Sequence, residues 1–321
     1  MENVAIIIPC YNVADFLPQC LDSVLRQTHN AIQAYVVDDC STDATPQIIR
    51  EYAARDTRIT GIYLEKNSGV SAARNAGIEQ ASEPWCIFVD GDDALPDDAI
   101  SQLIHLQEET GAELVCANTL RISENGEPQG LHYRERKRLE FMLDKDPMKF
   151  LPNQEVFCTC WNKLFPTDML KQSGIRFNLN LRHAQDTLFT HEFLLRCRPH
   201  CVIDYSKNVY LYRQRASSCV HAIQLEKRLA ALKILVTAMD SLATELNVSR
   251  RLVLRKAAEY LWAIRKFTDG AQDRRKHMEK LVESTLFKDH LAPILTSYGK
   301  FRHRAVLKCI SLGWLDAIRF W

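Results

Sequence analysis

The chain has 321 residues, 46% of them hydrophobic and 25% charged, and a formal net charge of +1. This is the composition of a soluble globular protein, with room for one large domain or two moderate ones. No apolar run reaches the ~18–20 residues of a transmembrane helix, and no recognised nucleic-acid-binding motif is present.

The first ~120 residues alternate strand and helix patterns. Val4 to Pro9 is a continuous β-branched run, as expected of a strand buried on both faces. Ala14 to Arg26 has helical periodicity, and Ala34 to Val37 is the next strand, ending in Asp38-Asp39. Ser41, Thr42 and Asp43 offer capping groups for a helix starting near Thr45-Pro46. Then come a strand over Ile59–Leu64, a helix over Ser71–Gln80, a strand over Trp85–Val89, a helix over Pro96–Glu109 and a strand over Glu113–Asn118. Repeated βα units predict a mostly parallel sheet with helices on both faces. Residues 123–146 are polar and read as a loop or excursion, 150–215 are mixed, and the chain beyond about 223 is helical and basic.

The strand Trp85–Val89 runs into Asp90-Gly91-Asp92-Asp93. Carboxylates clustered at the end of a buried strand repel one another, and a hard divalent cation such as Mg²⁺ or Mn²⁺ resolves that. Three other strand ends carry Pro9-Cys10-Tyr11-Asn12, Asp38-Asp39-Cys40-Ser41-Thr42-Asp43, and Asn67-Ser68-Gly69 leading to Ala73-Arg74-Asn75-Ala76-Gly77. In a parallel sheet all four lie along one edge, where such sheets bind ligands. That edge offers backbone donors, carboxylates for a base and a ribose, an arginine for phosphate and a metal site. Elsewhere, Cys158-Thr159-Cys160 and Cys197 with His200-Cys201 lack the spacing of a zinc site. Eleven scattered cysteines, several in apolar runs, and a first strand at Val4 with no signal peptide before it read as a reduced, cytoplasmic protein.

This ordered set resembles the family 2 glycosyltransferases of the GT-A fold, inverting enzymes that use nucleotide-diphospho sugars. The one departure in the N-terminal motifs is Cys40, where glycine is usual; a positive φ there would strain the turn. The resemblance continues through Trp161-Asn162-Lys163-Leu164-Phe165, similar to a segment near the acceptor, and Gln185-Asp186, similar to the Glu-Asp pair carrying the base, with Gln185 in the Glu position. It ends at Tyr210–Ser218, similar to a Tyr-x-x-Arg-x-x-Ser segment. It implies a GT-A catalytic domain over 1–220, with a nucleotide-sugar part at 1–120 and an acceptor part at 121–220, and a separate helical region over 221–321.

The resemblance also implies roles. Asp186 is the base that takes the acceptor proton. Asp90 and Asp92 hold Mn²⁺ or Mg²⁺, with His183 or His221 as a conceivable third ligand. Pro9, Tyr11, Asp39, Asn67, Arg74, Asp90, Gly91 and Asp92 contact the UDP-sugar, while Asp93 either binds the sugar or caps the following helix. Trp161, Lys163 and Arg213 lie on the acceptor side. The reaction implied is transfer of a hexose or N-acetylhexosamine from a UDP-sugar to a hydroxyl of a lipid-linked glycan, as in lipopolysaccharide, O-antigen or capsule assembly, giving a β linkage.

Two other readings stay open. A sugar nucleotidyltransferase would need a Gly-rich phosphate loop after the first strand, which Pro9-Cys10-Tyr11-Asn12 does not supply. A non-catalytic nucleotide-sugar-binding subunit would not need the intact Asp90, Asp92 and Asp186. Charge is uneven: residues 1–130 hold about 21 acidic and 7 basic side chains, and from Arg250 onward about 16 are basic and 7 acidic. The basic half suits phosphates or an anionic membrane, or simply attracts the acidic half. Leu307, Ile310, Trp314 and Ile318 recur at helical spacing, as in a helix lying peripherally on the inner face of the cell membrane.

Overall fold

Strand β1 (Val4–Cys10) is buried at every position. It pairs in parallel with β2 (Ile32–Asp38) on one side and β4 (Trp85–Phe88) on the other, so neither its faces nor its edges meet water. This is why Val4 to Ile8 are uniformly apolar and mostly β-branched: each such side chain contributes about 1.5–3 kcal/mol when buried. Strand β3 (Ile59–Tyr63) extends the parallel set beyond β2. The computed structural model describes residues 2–133, 137–143, 155–215 and 225–248.

The helices expected between these strands are α1 (Leu17–Leu25), α2 (Thr45–Arg55), α3 (Val70–Gln80) and α4 (Ala99–Thr110). Proline opens α1 and α2 at the first or second position, and Gly111 closes α4 in the left-handed region at φ 65°. Helix α3 lies unusually close to β1. A β-carbon on Gly77 would come 2.3 Å from Cγ2 of Ile7, so only glycine lets the helix settle there. Arg74, one turn earlier on the same face, is thereby carried to the end of the strand.

After β5 (Leu114–Ile122) come β6 (Pro128–Leu131), β7 (Arg138–Met142), β8 (Lys163–Pro166) and β9 (His200–Arg213), with helices α5 (Thr167–Gln172) and α6 (Gln185–Cys197). The sheet order is β3-β2-β1-β4-β8-β5-β9-β7, with β6 paired to β5. β8 runs antiparallel to both β4 and β5, joining the parallel set β1–β4 to the parallel β5–β9 pair. The region 123–146, expected to be a loop, therefore contains two strands. Both are antiparallel additions, and their side chains are mainly exposed or intermediate. Backbone pairing along a sheet edge does not require the apolar alternation by which strands are recognised.

The chain divides into two compact units, one of residues 1–147 and 154–218 and one of 148–153 and 219–321. In the second unit the structure describes helix α7 (Leu225–Glu245). The expected interfacial helix near the C-terminus and His221 lie outside the described residues. No helix among those described is long and apolar enough to cross a membrane.

Candidate active site

β2 and β4 flank β1, with the chain crossing to β2 and β3 on one side and to β4 on the other. That reversal of order is where an open parallel sheet leaves a crevice at its C-terminal edge. Asp38 ends β2 and Asp39 follows it, at 4% and 2% exposed. Asp39 accepts the amide N–H of Ser68 at 2.7 Å and of Gly69 at 2.6 Å, fixing the loop that starts α3. The rest of that motif clasps two loops together. Ser41 accepts the Asn12 amide at 3.0 Å, Asp43 the Ala14 amide at 3.0 Å, and the Asn12 side chain accepts the Thr42 amide at 2.8 Å. Cys40 has φ 59°, the left-handed conformation that glycine would adopt without strain. Pro9 is buried within β1, while Tyr11 is 47% exposed at its mouth and Asn67 is exposed.

Arg74, more often a surface residue when it falls on a polar helix face, is 2% exposed. It donates to Asp186 at 2.6 Å through Nη1 and to Asp90 at 2.7 Å through Nη2. Its guanidinium also lies 5.1 Å from the centroid of the Phe177 ring, and Phe177 stacks on Phe189 of α6 at 3.9 Å. Burial opposes the charge on Arg74, but Asp186 and Asp90 overcome it and push its pKa well up. The neighbouring Asn75 donates to the Phe177 carbonyl at 2.9 Å and accepts the Phe177 amide at 2.8 Å. Arg74 and Asn75 together thus dock the segment that carries Asp186 against α3. Asp186 sits in the first turn of α6, just after Ala184, whose φ of 59° bends the chain into the helix. The Gln185 amide oxygen beside it is buried without a hydrogen-bond partner among the described residues.

The carboxylate turn after β4 is pinned from two sides. Gly91 packs so tightly that a β-carbon would come 2.9 Å from the Cys10 sulfur and 3.2 Å from the Pro9 carbonyl. From the other side, Ala94 and Leu211 of β9 exchange backbone hydrogen bonds of 3.2 and 2.9 Å. Tyr210 donates to Asp93 at 2.7 Å and accepts the Asp90 amide at 3.0 Å, and the Arg213 amide donates to Asp93 at 2.7 Å. Asp93 is 2% exposed. Burial, then the charges of Asp92 and Asp90, push its carboxyl well above the usual range. It does not cap α4, whose N-cap is Asp98. It ties the turn to β9.

The three residues expected on the acceptor side are buried. Trp161, Lys163 and Arg213 are 6%, 0% and 3% exposed. Lys163 donates to Thr159, to the Trp161 carbonyl and to the Asn162 side chain at 2.9–3.2 Å, and burial lowers its pKa. Arg213 donates to the Asp92 and Glu124 carbonyls at 2.8 and 2.6 Å and to Gln19 at 2.5 Å. Trp161 stacks on Tyr210 at 4.8 Å and on Tyr212 at 5.7 Å. All three side chains are held by contacts within the protein. Sequence reasoning missed Tyr210 and Arg215, both inside a segment it had marked. Arg215 forms an ion pair with Asp92 and lies 5.1 Å from the Phe16 ring.

Asp90 and Asp92 keep 26% and 21% of their side chains open. Burial and then Asp90 raise the Asp92 pKa, the repulsion that a cation would relieve. Among the described residues no three His, Cys, Asp or Glu side chains converge. Two carboxylates completed by substrate phosphates and water nevertheless form an adequate set for a hard cation, so the residues present fit a divalent metal. His183, in the loop before α6, is half-buried.

A parallel sheet with an antiparallel insertion, a carboxylate turn at its switch point and a carboxylate on the facing helix define the GT-A class of nucleotide-sugar transferase fold. A crystal structure of Staphylococcus aureus TarS residues 1–349 with UDP-GlcNAc superposes with a TM-score of 0.67 at 21% identity, covering 98% of this chain and 89% of that one. Residues 5–174 match the family described as glycosyl transferase family 2, and the chain belongs to that family. It is 30% identical to the glycosyltransferase GlyA of Streptococcus pneumoniae over 72% of this chain, and 28% identical to the succinoglycan biosynthesis protein ExoO of Rhizobium meliloti over 81%. The match spans 33% of GlyA and 76% of ExoO.

Proposed function

We propose that the protein is an inverting glycosyltransferase. On this reading it moves a hexose or N-acetylhexosamine from a UDP-sugar to a hydroxyl of a surface glycan, forming a β linkage. The observation that carries the reading is the Asp186–Arg74–Asp90 chain. A carboxylate on the acceptor side and a carboxylate of the suspected metal turn are held to one buried guanidinium, at 2.6 and 2.7 Å. A base and a leaving-group site that must act on opposite faces of one carbon need this kind of fixed separation.

In the mechanism, Asp186 accepts the proton of the acceptor hydroxyl as that oxygen bonds to the anomeric carbon. The bond from that carbon to the diphosphate breaks with its electron pair leaving on the phosphate oxygen. Arg74 keeps Asp186 oriented. Asp90 and Asp92 would hold Mn²⁺ or Mg²⁺, which when bound neutralises charge on the leaving diphosphate. Asp39 with the Ser68-Gly69 loop, Tyr11, Pro9 and Asn67 would receive the nucleoside, with residues 1–120 as the donor half and 121–220 as the acceptor half. Support for a UDP-sugar comes from the TarS complex, and for a polysaccharide setting from ExoO. A lipid-linked acceptor would bring the protein to the inner face of the membrane.

The test is donor hydrolysis and UDP release across UDP- and GDP-sugars with Mn²⁺ or Mg²⁺, for wild type, Asp92→Ala and Asp186→Asn. Metal-dependent turnover of one UDP-sugar, lost in both variants, is the expected result. UDP binding without turnover, even with membrane extract as acceptor, would replace this reading with a non-catalytic nucleotide-sugar-binding subunit.

A further inference from the structure

The three carboxylates of the turn are each neutralised differently. Asp93 is buried under Tyr210 and the Arg213 amide. Asp90 pairs with Arg74, whose side chain is 3% exposed and locked by Asp186 and Phe177. Asp92 pairs with Arg215, and here both partners are open, at 21% and 19%. Arg215 is held otherwise by the face of Phe16, which it shares with Arg213. The cation on Asp90 is therefore built in, and the cation on Asp92 is removable.

We infer that Arg215 occupies the metal's place at Asp92 in the donor-free protein, so that a divalent cation binds tightly only when a nucleoside diphosphate draws Arg215 away. This rests on the proposed metal-dependent reading. The Asp92 oxygen that pairs with the Arg215 guanidinium cannot at the same time be given fully to a hard cation. A metal arriving alone must break the Arg215 ion pair and leave that guanidinium without a counter-charge. A diphosphate arriving with it supplies the counter-charge, since guanidinium pairs with phosphate as well as with carboxylate. Metal and nucleotide would then strengthen each other's binding by one and the same factor. Arg215 acts here as a positioning residue, setting the order in which the site fills.

The experiment is Mn²⁺ binding to the full chain by electron paramagnetic resonance, with and without UDP, for wild type, Arg215→Ala, Arg215→Lys and Asp92→Ala. Without UDP, Arg215→Ala is expected to bind Mn²⁺ at least about fivefold more tightly than wild type, and Arg215→Lys to fall between them. The gain from adding UDP should be smaller in Arg215→Ala than in wild type. Asp92→Ala should bind weakly in both conditions. A merely structural loss on removing Arg215 would weaken Mn²⁺ binding, so equal or weaker binding by Arg215→Ala overturns the inference while leaving the transferase reading intact. Failure of wild type and Arg215→Ala alike to bind Mn²⁺ even with UDP would overturn both.

Discussion

Arg74 and Asp186 are 112 positions apart in the chain and 2.6 Å apart in the fold. Their contact joins the helix that follows the donor strands to the helix that carries the proposed base. Asp186→Asn keeps an oxygen for Arg74 to donate to but removes the proton acceptor. It should fold normally and lose about 10²–10⁴-fold in turnover. Arg74→Ala should behave differently, because it strands two partly buried carboxylates. A stability loss of about 3–5 kcal/mol is expected, alongside lost turnover. Arg74→Lys keeps the charge but cannot span Asp90 and Asp186 with one fork. Chemical denaturation beside single-turnover kinetics separates the three. An Asp186→Asn variant with near-normal turnover would end the base assignment.

Asp92 and Asp93 are adjacent in sequence and differently placed, the first partly open and the second buried. Removing the Asp93 carboxyl leaves the Tyr210 hydroxyl and the Arg213 amide unpaired in a dry interior. Asp93→Ala should cost about 2–4 kcal/mol of stability. Asp92→Ala breaks a single ion pair, that with Arg215, and removes a repulsive neighbour of Asp90, so it should cost less stability than Asp93→Ala. The catalytic losses should follow the reverse logic, with Asp92→Ala inactive in a fully folded protein. Urea unfolding midpoints measured for both at one pH decide the matter.

Cys40 adopts φ 59° with a β-carbon in place. Left-handed geometry costs an ordinary residue about 1–2 kcal/mol, while glycine adds about 0.5–1 kcal/mol of unfolded-state entropy. Cys40→Gly should therefore stabilise the protein by roughly 0.5–1 kcal/mol. The thiol makes only a 3.9 Å contact to the Glu65 carbonyl, so nucleotide binding should not change. A lower unfolding temperature for Cys40→Gly would show that the cysteine contributes something beyond its backbone.

The N-terminal half was legible because β1, β2 and β4 are buried almost throughout and read as apolar runs. Strand β8 was hidden by its four-residue length and by Lys163, a charged residue that survives in the core only by donating three hydrogen bonds. Strands β6 and β7 were hidden by their polar side chains. Motif order pointed to Asp90, Asp92 and Asp186 but not to how they meet. A helical arginine reads as surface until its two carboxylate partners, one from β4's end and one from α6, are brought to it. Nor did the sequence reveal that Trp161, Lys163 and Arg213 are buried, since burial depends on long-range contacts such as those of β9 with the carboxylate turn.

His132 stands edge-on to Tyr133, Trp161 and Tyr212 at 4.6–5.7 Å, part of the aromatic wall behind the site. Burial, then the charges of Arg121 and Lys163, lower its pKa from 6.5 to about 4. The folded state thus keeps the imidazole neutral where the unfolded chain protonates it. The stabilisation from this neutral ring is fully present above pH 6.5 and is lost as pH falls from 6.5 towards 4, because the unfolded state then binds the extra proton. Allowing for the ring's partial exposure, the loss at pH 5 should be about 1–2 kcal/mol. His132→Phe retains the edge contacts and cannot titrate. Wild-type stability should fall more steeply than that of His132→Phe between pH 7 and pH 5. Parallel curves for the two proteins would remove His132 from the acid sensitivity of the fold.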